Sequence, residues 1–314
     1  MDDRALLDLL DAVAETGYSF VTVTPETHRR VLARRGGEPA RDLRDVFGWS
    51  LAFEEGLLPA RVEDALRRTG MVAREGGRRK SLLRISTLSG QLFLHSAFPT
   101  DDALSVFLGP DSYRFARFLA AQIPALGPVR RLVEIGAGGG VGGIVAAGYA
   151  PGARIVLSDI NPLALRLARV NARRAGVEVE IVEAPGLDGV EGPFDLAVAN
   201  PPFIIDRAGR AYRDGGDLHG ARLSLDWALE AARRVDPGGS ILLYTGSAIV
   251  AGRDGLGEAL EAALGPLGCS MAYGEIDPDI FGEQLGEPGY EDVERIAAVG
   301  AVIRRAPRFA SAEA

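Results

Sequence analysis

The chain has 314 residues, of which 47% are hydrophobic and 25% charged, and carries a formal net charge of −8 from 35 basic and 43 acidic side chains. At roughly 150 residues per domain this is about two domains, and the mix excludes a disordered chain. One cysteine, Cys269, excludes an intrachain disulfide and a cysteine-based zinc site. His28, His95 and His219 stand far apart without metal-ligand spacing, so no metal is expected.

The acidic balance means that the overall field does not draw the chain onto nucleic acid. Lys80 is the single lysine, which reads as coding bias towards arginine. The first four residues open an acidic amphipathic stretch and not a secretory signal. The longest apolar runs, such as 241–244, are strand-sized, far short of the ~18 residues of a membrane span. A cytoplasmic protein without membrane contact is the expectation. The charge is unevenly placed. Residues 1–100 hold 15 basic and 14 acidic groups, so the deficit lies in the remainder, at −9, while 61–84 alone is +5.

In chain order, Leu6, Leu7, Leu9, Leu10 and Val13 form a helical stripe from about 3 to 15. Thr24 as N-cap and Pro25 at the first position start a second helix. A third runs near 59–69, from Pro59 to the stop at Gly70. Residues 81–86 and 91–96 form a hairpin around Ser89 and Gly90. In outline this resembles a winged helix. A small α+β cap that packs on the following domain and closes over its ligand is the alternative favoured by the acidic field. The division expected is 1–108, a helical and hairpin domain, and 109–314.

After Pro110, strands and helices alternate, the mark of an α/β sheet. Strands are expected at 132–135, 154–158, 177–182, 194–199, 240–245, 269–276 and 296–304. One helix starts at Asn161 and Pro162 and stops at Gly176; another, near 217–235 with Asp217 as cap, stops at Pro237.

Gly136, Gly138, Gly139 and Gly140 follow the first of these strands directly. Glycines there let the backbone turn tightly and approach a ligand with no Cβ in the way. The G-x-G-x-x-G of nicotinamide binders fails at Val141. Gly136, Gly138 and Gly140 with Glu134 two positions ahead instead resemble the loop of class I S-adenosylmethionine-dependent methyltransferases. Asp159, 23 residues after Gly136, ends the second strand, where a carboxylate can accept from both hydroxyls of a ribose. Asp159, Ile160, Asn161, Pro162 and Ala164 resemble the D-x-N-P-x-A of N-methyltransferases. The resemblance implies a Rossmann-like seven-stranded sheet, S-adenosylmethionine as cofactor and Ile160 beside its adenine. Relatives usually read the adenine amino group with an acid near the end of the third strand. Here 184–186 has none, so Glu183 or Asp188 substitutes, or backbone groups do the work.

Asn200, Pro201, Pro202 and Phe203 follow the fourth strand. This tetrad is a hallmark of enzymes that methylate a planar nitrogen. The resemblance assigns two N–H acceptors to the Asn200 side chain and the Pro201 carbonyl, and a stacking surface to Phe203. It spans about 111–305 and is to the protein-glutamine N5-methyltransferases and the small-domain ribosomal RNA guanine N2-methyltransferases. The first hundred residues resemble neither family.

Tyr212, Arg213, Asp214 and His219 fall in a glycine-rich stretch that borders the substrate pocket in relatives. The acidic loop at 275–290 is either a surface loop or a segment that repels phosphates and attracts a basic peptide or an amine. At 109–114, the segment that covers the cofactor in relatives, Tyr113 or Phe115 is expected near adenosine or in the core. Three functions follow from these features. One is N-methylation of a protein amide or small-molecule amine, and the second is RNA base methylation with 61–84 on phosphates. The third is cofactor binding without turnover.

Overall fold

The structure, a computed structural model, describes residues 2–206 and 213–307. The chain begins with helix α1 (Asp3–Ala14), whose stripe of Leu6, Leu9, Leu10 and Val13 is fully buried, and α2 (Pro25–Arg34), capped where Thr24 accepts the Thr27 N–H at 3.1 Å. Then come α3 (Leu43–Phe47) and α4 (Ala60–Thr69). Two hairpins follow, β1 (Val72–Glu75) with β2 (Arg78–Ser81), and β3 (Leu83–Leu88) with β4 (Gln91–Ser96). The first hairpin was not foreseen. Gly76 and Gly77, both at positive φ, supply its turn, but its strands carry charges where alternating apolar residues would announce them.

The remainder is the sheet and its helices: α5 (Pro110–Gln122), β5 (Arg131–Ile135), α6 (Val141–Ala147), β6 (Arg154–Asp159), α7 (Pro162–Arg174), β7 (Val179–Glu183), β8 (Leu196–Ala199), α8 (Arg222–Arg234), β9 (Ser240–Val250), β10 (Arg253–Asp254), α9 (Gly255–Leu264), β11 (Cys269–Asp277) and β12 (Arg295–Arg305). The strand order is β11-β12-β9-β8-β5-β6-β7. The pairs among β7, β6, β5, β8 and β9 are parallel, and β12 is antiparallel to both β9 and β11. The seven expected strands are this path. The two-residue β10, hooked onto β9, is the addition. Two other expectations are corrected. The third strand starts at Val179, and α8 starts at Arg222 without a side-chain cap. Asp217 contributes only its carbonyl, which accepts the Arg222 N–H at 2.9 Å.

Helices α5, α6 and α7 pack on one face of the sheet, α8 and α9 on the other, each through buried aliphatic residues. The parallel order reverses at β5, between β6 and β8. The crevice outside the carboxyl ends of such strands is where open α/β sheets bind ligands. The glycine loop leaves β5, Asp159 ends β6 and Asn200 follows β8, so three separate motifs meet there.

The N-terminal elements share one apolar core with α7. Leu6, Leu10, Phe47, Leu66 and Leu83 pack with Ala164, Leu167 and Val170. A buried polar bond ties this core to the glycine loop. Asn171 accepts the Leu94 N–H at 2.8 Å and donates to the carbonyls of Leu94 at 3.1 Å and Gly139 at 2.9 Å. Among the described residues no helix is long and apolar enough to cross a membrane.

Candidate active site

The loop after β5 holds Gly136, Gly138 and Gly140 at φ of 68°, 50° and 80°, a left-handed region that disfavours any side chain. They face different things. A Cβ on Gly138 would meet nothing, whereas one on Gly136 would lie 2.4 Å from the indole of Trp227 and one on Gly140 3.1 Å from Ala168. Gly138 therefore opens on the cleft, while the other two sit under packed neighbours.

Glu134 is 3% exposed and spends both carboxyl oxygens on the start of α6, accepting from Gly142 at 2.8 Å and Gly143 at 2.7 Å. An acid at a helix N-terminus meets unpaired amides and the positive end of the dipole. Burial nonetheless pushes its carboxyl up to about 8, against the pull of those two bonds. Asp159 accepts from Gly138 at 2.7 Å and from Asn161 at 2.8 Å, and burial raises it too. Asn161, two residues on, caps α7 by accepting from Leu163 and Ala164.

These residues wall a cleft of about 240 Å³ together with Ile160, which is 51% exposed, residues 184–186, Asn200 and Trp227. Among the described residues, the acidic side chains that line it are Glu134 and Asp159, and no lysine or arginine does. Such a cleft suits a ligand that is cationic or neutral with hydroxyl donors, and not a phosphate. Glu183 and Asp188 are exposed and do not line it, so neither replaces the missing acid. The carboxyl that lies against 184–186 is Glu230 of α8. It accepts the Leu187 N–H at 3.3 Å, and its Oε2 would stand 2.6 Å from a Cβ on Gly186. Trp227 and Glu230 are one helical turn apart on α8, a helix that sequence reasoning did not connect with the site.

A second pocket, of about 90 Å³, adjoins the first. Asn200, Pro202 and Phe107 line both. Pro201, Phe203, Arg213 and Phe281 line the small pocket from the sheet side; Pro25 and Thr100 reach it from the N-terminal elements. Phe203 is held from two directions. Its ring meets Phe281 edge-on at 5.7 Å, and it rests on Gly246 so closely that a Cβ there would lie 2.3 Å from the ring. Of the entry segment, Phe115 is buried at the cleft, whereas the Tyr113 hydroxyl accepts the Thr22 N–H at 3.0 Å.

Asp111 was not singled out from sequence, yet it lines the small pocket with Asn200 and Phe203. It is 3% exposed. Its Oδ1 accepts the Tyr244 hydroxyl at 2.7 Å, and its Oδ2 has no hydrogen-bond partner. The remaining substrate-side expectations separate. Arg213 lines the pocket, but Asp214 closes its own turn by accepting from Asp206 and Gly216. His219 pairs with Asp292 at 3.0 Å and lines neither pocket. Tyr212 lies outside the described residues. The acidic loop is tied down by Arg114 on Asp277 and Arg295 on Glu275, and it brings Phe281 to the pocket.

The basic stretch is largely neutralised by its own neighbours. Arg61 pairs with Glu15, Arg67 and Arg68 with Asp64, Arg78 with Glu54, Arg79 with Glu55 and Glu63, and Lys80 with Glu75. Arg84 is 4% exposed.

Comparison with known proteins places this site in a recognised setting. Residues 112–215, which carry the glycine loop, Asp159 and the tetrad, match the family model described as methyltransferase small domain. The chain is 30% identical over 177 residues to the release factor glutamine methyltransferase of Deinococcus radiodurans, covering 53% of this chain and 63% of that protein. It is 31% identical over 104 residues to the ribosomal RNA small subunit methyltransferase C of Ectopseudomonas mendocina, covering 29% of this chain and 31% of that one. The alignments thus span less than two thirds of either relative's length. Among solved structures, Trm5b from Pyrococcus abyssi superposes with a TM-score of 0.50 at 16% identity, covering 74% of this chain and 62% of that chain. That likeness is one of fold: a Rossmann-like α/β sheet.

Proposed function

We propose that this chain, whose centre is a methyltransferase small domain, moves a methyl group from S-adenosylmethionine to a planar amide or amino nitrogen of a protein or small molecule. The observation that carries the reading is the position of Asn200, which lines both the large cleft and the small pocket.

The donor set of the cleft fits the cofactor. Two carboxyls and, among the described residues, no basic side chain suit a cation. Asp159 stands ready for ribose hydroxyls, Ile160 and the backbone of 184–186 flank the base, and Gly138 gives open backbone along the rest. Glu134 works through the loop it holds. When bound, S-adenosylmethionine supplies an electrophilic methyl on a sulfonium. The chain supplies position. The Asn200 side-chain oxygen and the Pro201 carbonyl accept N–H bonds from the acceptor, and Phe203 offers its face to the planar group. Acceptors fixed in advance favour charge that builds on the nitrogen, as positioning and preorganised dipoles do.

The small pocket, at about 90 Å³, has well under half the volume of the cleft beside it, at about 240 Å³. It admits the tip of a side chain or a small amine. In this reading residues 109–314 supply most of the cofactor cleft, and 1–108 form a cap that adds Ser105, Val106 and Phe107 to the cleft and Pro25, Thr100 and Phe107 to the small pocket. The RNA alternative needs the 61–84 cations for phosphates, and most of these are already engaged by carboxylates. Binding without turnover would leave the second pocket without a purpose. A relative named for a release factor and one named for ribosomal RNA leave both acceptor classes in play, at a cytoplasmic location. The test is labelled-methyl transfer from S-adenosylmethionine into a cell extract, fractionated into protein, RNA and small molecules. Label in protein or small molecules supports the reading; label confined to RNA overturns it in favour of the alternative.

A further inference from the structure

We infer that Arg213 reads a carboxylate on the methyl acceptor, so that the planar nitrogen and an acid group belong to one molecule. This rests on the N-methylation reading above and narrows its acceptor to a class.

The backbone of Arg213 is placed by the tetrad. Ile204, directly after Phe203, donates its N–H to the Arg213 carbonyl at 3.3 Å, and its own carbonyl accepts the Gly215 N–H at 2.9 Å. Two glycines let this turn lie on the tetrad backbone. A Cβ on Gly215 would stand 2.7 Å from the Pro202 carbonyl oxygen, and one on Gly220, at a φ of 90°, would stand 2.6 Å from that of Phe203. Arg213 lines the small pocket with Asn200 and Phe203, and among the described residues it is the one cation there.

The guanidinium is in place but not committed. Elsewhere in this chain a structural arginine grips its carboxylate with two nitrogens. Arg35 holds Asp45 at 2.8 and 2.9 Å, and Arg114 holds Asp277 at 3.1 and 2.8 Å. Arg213 has no such grip. The Asp206 carboxylate stands 3.9 Å from its Nε, beyond hydrogen-bond distance, and Nε makes no hydrogen bond. Asp214, next to it, spends Oδ1 on the Asp206 and Gly216 amides. The Arg213 side chain is 28% exposed, so a ligand can reach it.

A planar fork of donors matches a carboxylate bidentately. A phosphate fits this pocket less well. The other charged side chain that lines it is Asp111, which has its own cation in Arg114 at 3.4 Å. One arginine balances one negative charge on a ligand held near that carboxyl, and not two. The acid group can belong to a peptide or to a free small molecule, since the chemistry is the same; an RNA base does not carry it.

The test measures labelled-methyl transfer from S-adenosylmethionine into cell extract in serial dilution, with wild type, Arg213→Gln, Arg213→Lys and Asn200→Ala. The extract is used untreated, after conversion of its carboxyls to neutral amides by carbodiimide in excess ethanolamine, and after phosphatase. For wild type, amidation should lower labelling on the order of 10-fold or more, and phosphatase should leave it unchanged. Arg213→Gln should raise the apparent KM for untreated extract on the order of 10-fold or more, with maximal rate and calorimetric affinity for S-adenosylmethionine within about threefold of wild type. Arg213→Lys should fall between the two, because a point charge replaces the fork. Amidation should cost Arg213→Gln far less than wild type, since the pair is already broken. The fraction that carries the label, protein or small molecules, tells which source supplies the carboxylate. Four results each overturn the inference: equal labelling of amidated and untreated extract by wild type, loss of labelling on phosphatase treatment, an equal loss on amidation in wild type and Arg213→Gln, or a wild-type apparent KM in Arg213→Gln. If Arg213→Gln does not fold, the wild-type amidation result decides alone. No label from wild type, or full rate in Asn200→Ala, overturns the N-methylation reading beneath; loss in Asn200→Ala with wild-type behaviour in Arg213→Gln overturns only the role of Arg213.

Discussion

The Gly138 amide donates to Asp159 Oδ2 at 2.7 Å, so the glycine loop after β5 and the tip of β6 are fastened to each other by the protein's own bond. The carboxylate thereby has two tasks, loop latch and ribose acceptor. Asp159→Ala removes both, and Asp159→Asn retains one acceptor oxygen. Affinity for S-adenosylmethionine should fall on the order of 10-fold or more in the alanine variant and less in the asparagine variant. Calorimetry reads both, and unchanged affinity in Asp159→Ala would remove the ribose assignment.

A second latch joins Glu134 to α6. A Cβ on Gly142 would lie 2.4 Å from Glu134 Oε1 and 2.7 Å from the Phe115 ring. Gly142→Ala should destabilise the fold by about 1–3 kcal/mol through overpacking. Glu134→Gln turns an amide donor towards the Gly142 or Gly143 N–H and should cost a similar amount. Thermal melts followed by circular dichroism report this; melting points equal to wild type would mean the loop does not depend on these contacts.

Phe203 lines the small pocket and rests on Gly246 behind it. Gly246→Ala forces the Phe203 ring off its seat, because the added carbon would lie 2.3 Å from it. The expected result is a fall in methyl transfer on the order of 10-fold or more with little change in cofactor affinity, as misplacement near the chemistry gives. Equal loss of both would show that Gly246 supports the cleft as a whole.

Local signals were legible in the sequence. Thr24, Asn161 and Pro162 act within a few residues of themselves, and each caps or opens its helix as read. The glycine loop, Asp159 and Asn200 were legible because strand ends carry them to the crevice where the parallel order reverses. Asp111, Trp227 and Glu230 were not, because their importance comes from tertiary packing. Asp111 matters through Tyr244, 133 residues away, and Trp227 through the ring it lays on Gly136. His219 and Asp214 differ for the opposite reason: each spends its polar atoms away from the pocket, His219 on Asp292 and Asp214 on the amides of Asp206 and Gly216.

Acid should weaken the N-terminal core. His28 is 1% exposed, stacks on Phe98 at 4.1 Å and faces the Trp49 carbonyl at 3.0 Å. Burial, then the Arg84 cation, hold its imidazole down to about 4 from 6.5. The unfolded chain takes up the proton first. The contribution is therefore fully present above about pH 6.5 and is lost as pH falls towards about 4. Loss of about 2 kcal/mol is expected over that window. His28→Gln should show a smaller drop in melting temperature between pH 7 and pH 4.5 than wild type; an equal or larger drop would contradict this.

If 61–84 is occupied by its own carboxylates, RNA affinity should be low, with a shallow dependence of log K on log salt. Filter binding between 50 and 200 mM salt measures it. A steep slope, of the kind given by ~6 or more phosphate contacts, would restore the RNA reading.

The central claim is that Asn200 joins the cofactor cleft to the methyl-acceptor pocket. Transfer of labelled methyl from S-adenosylmethionine by Asn200→Ala, with calorimetric cofactor affinity measured on the same preparation, tests it most directly. The account predicts nearly unchanged affinity and a rate lower by on the order of 10²-fold or more. A transfer rate equal to wild type would contradict it.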